Sequence, residues 1–252
     1  MGVADLVPGV SGGTVAFFAG IYDQFLSALK SLKFSTMKGI HWSFLLPLGS
    51  GIFVALLLFS HLLSYVLSVH KVLFFAFLFG LIAAACLSNF RRIQTKRPLW
   101  LIIGFVLSFF ISGFHGAVSV EPSLMWLFAS GALAAMAMLL PGISGCYLLH
   151  LLGVYPVVIY ALSTPHQSAS LLILGVCSLG IATGVYLFSR VLASLIQNFK
   201  GQSLSLLLGM MVGSMRTLYP FHDRLSPLTI SFTIIGFILL FLIDLRLKKA
   251  AI

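Results

Sequence analysis

Val7-Pro8-Gly9-Val10-Ser11-Gly12-Gly13-Thr14, with Gly20-Ile21-Tyr22 behind it, returns in the second half of the chain as Leu140-Pro141-Gly142-Ile143-Ser144-Gly145-Cys146-Tyr147, with Gly153-Val154-Tyr155 behind it. The two stretches align without a gap, pairing Pro8 with Pro141, Gly20 with Gly153 and Tyr22 with Tyr155. Downstream, Gly51, Phe59-Ser60 and Gly80 pair with Gly180, Phe188-Ser189 and Gly209 at a second, constant offset. A whole unit is therefore duplicated, and self-similarity on that scale sets the architecture before any single element does.

Around the two motifs the chain is almost continuously apolar. Of its 252 residues 60% are hydrophobic and 8% charged, with a mean hydropathy of +1.12. A soluble domain carries roughly 25% charged residues, so the solvent is lipid. The apolar stretches run on without the period-two alternation of a membrane barrel, and a helix crosses the hydrocarbon in about 20 residues. An all-α polytopic membrane protein follows. Spans are expected at 44–66, 72–90, 99–119, 168–196, 202–218 and 228–247. Two further apolar stretches, 1–29 and 124–163, are each cut by a Pro/Gly cluster.

The basic residues orient these spans. Lys30, Lys33 and Lys38, then Arg91, Arg92, Lys96 and Arg97, then Lys200, then Arg246, Lys248 and Lys249 fall in connections on one side, against Lys71 and Arg224 on the other. The basic side should be cytoplasmic, with the C-terminus on it. The alternation closes only if 1–29 and 124–163 each enter and leave on the same side, as re-entrant hairpins. Each repeat, 1–122 and 123–252, is then one hairpin plus three transmembrane helices, and the odd number of crossings inverts the second copy. Secondary transporters are built this way, with sites where the repeats meet near the midplane. The net charge of +10 thus reports topology rather than a nucleic-acid partner. Cys86, Cys146 and Cys177 lack zinc-ligand spacing, so neither metal nor disulfide is implied. Met1-Gly2-Val3-Ala4-Asp5 has no basic region or cleavage site, and no signal peptide is expected.

Irregular backbone inside a membrane survives only if buried in protein or facing a polar cavity. Behind each Pro/Gly break a new helix begins, offering unpaired N–H groups and about half a positive charge. An anion suits such a place. The phosphate-binding candidates are therefore Ser11, Gly12, Gly13 and Thr14 in the first motif and Ser144, Gly145 and Cys146 in the second. The plainer alternative is that both breaks only pack small residues tightly. Arg216, behind Gly209-Met210-Met211-Val212-Gly213-Ser214, adds a guanidinium that can take phosphate in bidentate fashion. Asp5 and Arg190 are candidates for coupling or gating, because charge within apolar spans is costly. Asp23 and Asp244 read as interfacial, and His61 and His150 as packed histidines. HExxH, nucleophile-elbow and Walker patterns are absent, and so is a lipid-phosphate phosphatase motif, so no enzyme is expected.

At Gly2-Val3-Ala4-Asp5-Leu6-Val7-Pro8-Gly9-Val10-Ser11-Gly12-Gly13-Thr14, Leu140-Pro141-Gly142-Ile143-Ser144-Gly145, Gly213-Ser214-Met215-Arg216 and Tyr219-Pro220 the sequence closely resembles the PopT family, long known only as a domain of unknown function, number 368. The resemblance covers essentially the whole chain. It implies a flippase of the bacterial inner membrane that returns undecaprenyl phosphate, a polyprenyl phosphate lipid carrier, from the outer to the cytoplasmic leaflet for reuse in cell-wall and polysaccharide synthesis. Its partners would be that substrate and the membrane lipids, with homodimerisation open. No cofactor is implied, and proton or sodium coupling suits the architecture. The alternatives are a secondary transporter of another anion and a membrane enzyme acting on polyprenyl phosphates.

Overall fold

The computed structural model describes residues 1–5, 11–31, 41–93, 96–113, 122–164, 166–219 and 226–250. Pro8, Gly9, Val10, Lys33, Lys38, Glu121, Pro220, Asp223 and Arg224 lie outside the described residues, as do the side chains of Asp5 and His61. The first half holds α1 (Gly2–Asp5), α2 (Gly12–Phe18), α3 (Tyr22–Lys30), α4 (Trp42–Val69), α5 (Lys71–Arg92) and α6 (Pro98–Ile111). The second holds α7 (Leu124–Leu139), α8 (Gly145–Leu151), α9 (Tyr155–Ser163), α10 (Ser168–Asn198), α11 (Lys200–Ser214), a 3₁₀ turn at Met215–Leu218, and α12 (Pro227–Ala250). The described residues contain no strand.

The aligned motifs fold alike. α2 and α8 each have seven residues, and α3 and α9 each have nine. Between them stand Gly20 at φ +74° and Gly153 at φ +75°. In the first case Ile21 N–H donates to Ala16 O at 3.1 Å, and in the second Val154 N–H donates to Leu149 O at 3.1 Å. This is the Schellman closure, which ends a helix on a left-handed glycine. α8 and α9 meet there at a bend of 112°. A Cβ at either glycine would sit in a region that L-residues resist by about 1–2 kcal/mol. Gly153→Ala should therefore lower stability by about 1 kcal/mol in thermal unfolding. Gly175→Ala, mid-helix with nothing within 4 Å, should be neutral or stabilising.

Among the described residues, α5, α10 and Pro227–Arg246 of α12 are long and apolar enough to cross a membrane, and the bent α8–α9 pair is apolar enough for either a broken span or a re-entrant loop. Of the span expected at 99–119, 114–119 lie outside the described residues, and the described helix α6 ends at Ile111, where Ser112 N–H closes the last turn on Ser108 O at 2.9 Å. Fourteen residues rise about 21 Å, short of the roughly 30 Å hydrocarbon core. Helices occupy the other expected stretches within a few residues of their limits, although α11 has only fifteen residues before the 3₁₀ turn. Large apolar side chains such as Phe53, Leu58, Met125, Leu172, Ile234 and Ile235 face outward, while Ala76, Ala84, Ala85, Ala134 and Ala135 are buried. Lipid supplies no hydrophobic drive between helices, so small residues at the contacts hold them through close packing. The chain is a multi-pass membrane protein.

Two helix contacts repeat each other residue for residue. α5 lies along α12 and α6 along α11. In the first pair Gly80 abuts the carbonyl of Thr233 and Gly236 that of Phe77. In the second Gly209 abuts the carbonyl of Leu101 and Gly104 that of Leu206. Each glycine thus seats the partner backbone where any Cβ would overlap it.

Candidate functional site

The described part of the first motif, from Ser11 to Thr14, lies against the second break. Ser11 caps α2, its Oγ accepting Gly13 N–H at 3.1 Å. The same hydroxyl shares its proton between Met138 O and Leu140 O, each at 3.3 Å. Tyr22 Oη donates to Leu139 O at 2.6 Å, and Thr14 Oγ1 accepts Gly142 N–H at 2.9 Å. The last carbonyls of a helix have no partner within it, and here the first motif supplies partners for the end of α7. A Cβ on Gly13 would meet Met138 O at 2.9 Å, and Gly142 holds φ +95° against Met210 O. Ser11 and Thr14 are almost wholly buried. Their hydroxyls, expected from sequence as phosphate donors, are engaged with the second motif.

The second motif is arranged differently. Ser144, the N-cap of α8, is buried and makes no side-chain capping bond. Gly145 packs against Ala134 O and Met138, Cys146 is exposed, and Tyr147 Oη donates to Ile111 O at 3.0 Å. Arg216, on the 3₁₀ turn, is exposed and reaches the same end of α6. Its Nη1 donates to Phe109 O at 3.1 Å, and its guanidinium lies 4.4 Å over the Phe109 ring. Gly113 makes room for it, since a Cβ there would collide with the guanidinium. A Cβ on Gly142 would meet Ser214 Oγ at 2.9 Å, which ties the break to the segment carrying Arg216. Ser144, Gly145, Tyr147 and Arg216 therefore belong to one region, which Ser11 and Thr14 support from behind. Beside Arg216 opens a groove of about 320 Å³ lined by Phe79, Phe105, Phe109, Val212, Gly213, Met215 and Tyr219.

Arg190 points along its own helix. Its Nη1 donates to Tyr186 O at 2.7 Å, with the guanidinium 3.5 Å over the Tyr186 ring. His150 is exposed, its ring edge-on to Tyr155 at 6.1 Å. No group of His, Cys, Asp and Glu among the described residues could hold a metal.

One charged cluster is not visible in the sequence as a cluster. Asp244 reads there as interfacial, yet it is 2% exposed and ion-paired with Arg92. Arg92 Nη1 also donates to Phe18 O at 3.2 Å, at the C-terminal end of α2. One guanidinium thus joins α5, α12 and the first motif. A carboxylate inside an apolar helix is the available signal; its partner lies in a run of basic residues that topology already explains. Ser88 and Asn89, within a turn of Arg92, are buried with polar atoms lacking any partner among the described residues. Removing one member of a buried pair strands the other charge, at about 3–5 kcal/mol. Because Arg92 is 34% exposed and Asp244 is buried, Arg92→Ala, which leaves the carboxylate buried, should cost more than Asp244→Asn, which leaves the guanidinium at the surface. Thermal unfolding in detergent would show whether that order holds. A second cavity, of about 340 Å³, lies between α3 and α10 and is lined by Asp23, Ser27, Gln197 and Lys200 among others.

Comparison with known proteins agrees across the chain. The family model described as undecaprenyl phosphate translocase-like matches residues 1–234. The chain is 35% identical over 241 residues to a polyprenyl-phosphate transporter of Vibrio cholerae serotype O1, across 90% of this chain and 77% of that protein. It is 31% identical over 236 residues to a polyprenyl-phosphate transporter of Staphylococcus aureus, across 87% of this chain and 83% of that protein. No solved structure matches the chain. The protein belongs to the undecaprenyl phosphate translocase-like family.

Proposed function

We propose that this protein carries polyprenyl phosphate, with undecaprenyl phosphate as its lipid, from the outer to the cytoplasmic leaflet of a bacterial inner membrane. The observation that carries the reading is the family match over residues 1–234, and the geometry suits it. A phosphate dianion crossing hydrocarbon unaided would cost tens of kcal/mol in a simple Born picture. A headgroup moving along protein donors while its tail stays in lipid avoids that cost. In this reading Arg216 holds the phosphate together with the first turn of α8 at Ser144, Gly145 and Cys146. Ser11, Gly12, Gly13 and Thr14 brace that region through the second break.

The two halves, 1–122 and 123–252, are read as inverted repeats whose hairpins, 1–29 and 124–163, are re-entrant. The matched helix lengths, the paired glycines at Gly20 and Gly153, and the reciprocal glycine contacts support this reading. With the Lys and Arg side cytoplasmic, Arg216 lies toward the outer face, and the Arg92–Asp244 pair toward the cytoplasm, where the C-terminus also lies. Lipid loads at Arg216 while the Arg92 cluster holds the inner side closed. Asp5 and Arg190 remain the coupling candidates, and a rate in vesicles independent of any imposed gradient would remove them.

The test is leaflet-resolved translocation of undecaprenyl phosphate in liposomes holding the purified protein, with inorganic phosphate release followed in parallel. Movement without release is expected. Release of phosphate would make the protein an enzyme, and no movement by folded protein under any gradient would overturn transport.

A further inference from the structure

We propose that the groove beside Arg216 holds the isoprene units nearest the phosphate, so that the protein reads the tail of its lipid as well as the head. The inference rests on the transport reading above and gives the site a specificity that the reading does not contain. The groove has two unlike ends. One is the exposed guanidinium of Arg216, with Nη1 accounted for by Phe109 O, which leaves the rest of a five-donor fork to face an anion. The remainder is aromatic and apolar. Phe105 and Phe109 stack with centroids 5.5 Å apart, and Phe79 meets Tyr219 edge to face at 6.3 Å. Val212 and Met215 line the groove between them.

A charged mouth on an apolar slot matches an amphiphile with its anion at one end. Its walls select among such amphiphiles. An isoprene unit presents a flat double bond and a branching methyl, which lie well on ring faces, whereas a saturated alkyl chain is narrow and conformationally loose, and loses more freedom when held. At about 320 Å³ the groove is at the lower end of the range that encloses a small ligand. It takes only the units next to the phosphate, and the rest of the tail lies in the bilayer. The protein should therefore distinguish prenyl from alkyl phosphates strongly while remaining indifferent to distal tail length.

The test uses the full chain in nanodiscs and displacement of radiolabelled undecaprenyl phosphate by farnesyl phosphate and by dodecyl phosphate. Farnesyl phosphate should displace the label at concentrations at least about ten-fold lower, the scale of one well-placed aromatic contact plus the burial of a carbon or two. Val212→Trp fills the groove and should bring farnesyl phosphate down to the dodecyl phosphate level. Phe105→Leu keeps the apolar volume but removes a ring face, so it should erase most of the preference if the tryptophan variant does not fold. Equal potency of the two probes on the wild type, or an unchanged preference in folded Val212→Trp or Phe105→Leu, overturns the groove and leaves transport standing. A wild type that fails to bind undecaprenyl phosphate at all overturns the transport reading, and the groove with it.

Discussion

Arg216→Ala should weaken binding of undecaprenyl phosphate about a hundred-fold and stop its translocation. The guanidinium sits at the end of α6 that Tyr147 also reaches, and truncating a cation that pairs with a phosphate costs about 2–5 kcal/mol once the bound headgroup shields the pair from water. At about 1.4 kcal/mol per ten-fold, even the low end of that range is more than an order of magnitude in affinity. Arg216→Lys should recover only part of that affinity, because an ammonium offers a point charge rather than a planar fork. The fold should barely notice either change. Arg216 is exposed and makes one backbone hydrogen bond and one ring contact, so thermal unfolding should shift by no more than about 1 kcal/mol. Affinity equal to wild type in the alanine variant would remove Arg216 from the site, whatever its effect on rate.

Gly209→Val is expected to be among the most damaging apolar changes at the described residues. The first added carbon already overlaps the carbonyl of Leu101, and backbone cannot turn aside as a side chain can. α6 and α11 must separate along their contact, breaking the close packing that stands in for a hydrophobic drive in lipid. A destabilisation above about 3 kcal/mol follows, at the upper end of overpacking effects. Gly80→Val should do the same at Thr233, between α5 and α12. The comparison substitution is Gly175→Val, where nothing lies within 4 Å. If Gly209→Val unfolds at the temperature of the Gly175 variant, the helices are not held by these seats.

The architecture is legible in the sequence because two independent signals coincide. Apolar runs of spanning length mark the helices, and the return of Pro8-Gly9-Val10-Ser11-Gly12 as Pro141-Gly142-Ile143-Ser144-Gly145 marks two stretches whose following helices match in length. Gly20 with Gly153 and Gly80 with Gly209 pair by alignment alone, and the structure gives the first pair one φ and the second one packing role. Gly104 and Gly236 escape, because α6 and α12 share no motif and their equivalence appears only in what they touch. At the site, residue type suggests chemistry but cannot assign partners. Ser11 and Thr14 carry hydroxyls suited to an anion, and nothing in the sequence shows that Met138, Leu140 and Gly142 also bond to them. Asp244 looks like a helix-end carboxylate because nothing in the sequence places Arg92 beside it. Periodicity reports which faces are apolar, whereas hydrogen-bond partners depend on contacts across more than a hundred positions of chain.

The glycine seats of these two helix pairs also limit how such a molecule can move. At each seat a carbonyl fills the place of a missing side chain, so sliding either helix lengthwise by one residue would drive a Cβ into the opposing backbone. Both pairs, α5 with α12 and α6 with α11, are locked in register like toothed rails. What can still change is the angle between such locked pairs, α7 with α10 among them through Gly131 on Cys177 O and Gly180 on Phe128 O, and the tilt of the short helices α2, α3, α8 and α9. A cycle that exposes Arg216 first to one leaflet and then to the other would therefore run by rocking rather than by telescoping, with crosslinks across either seat leaving it free to turn over.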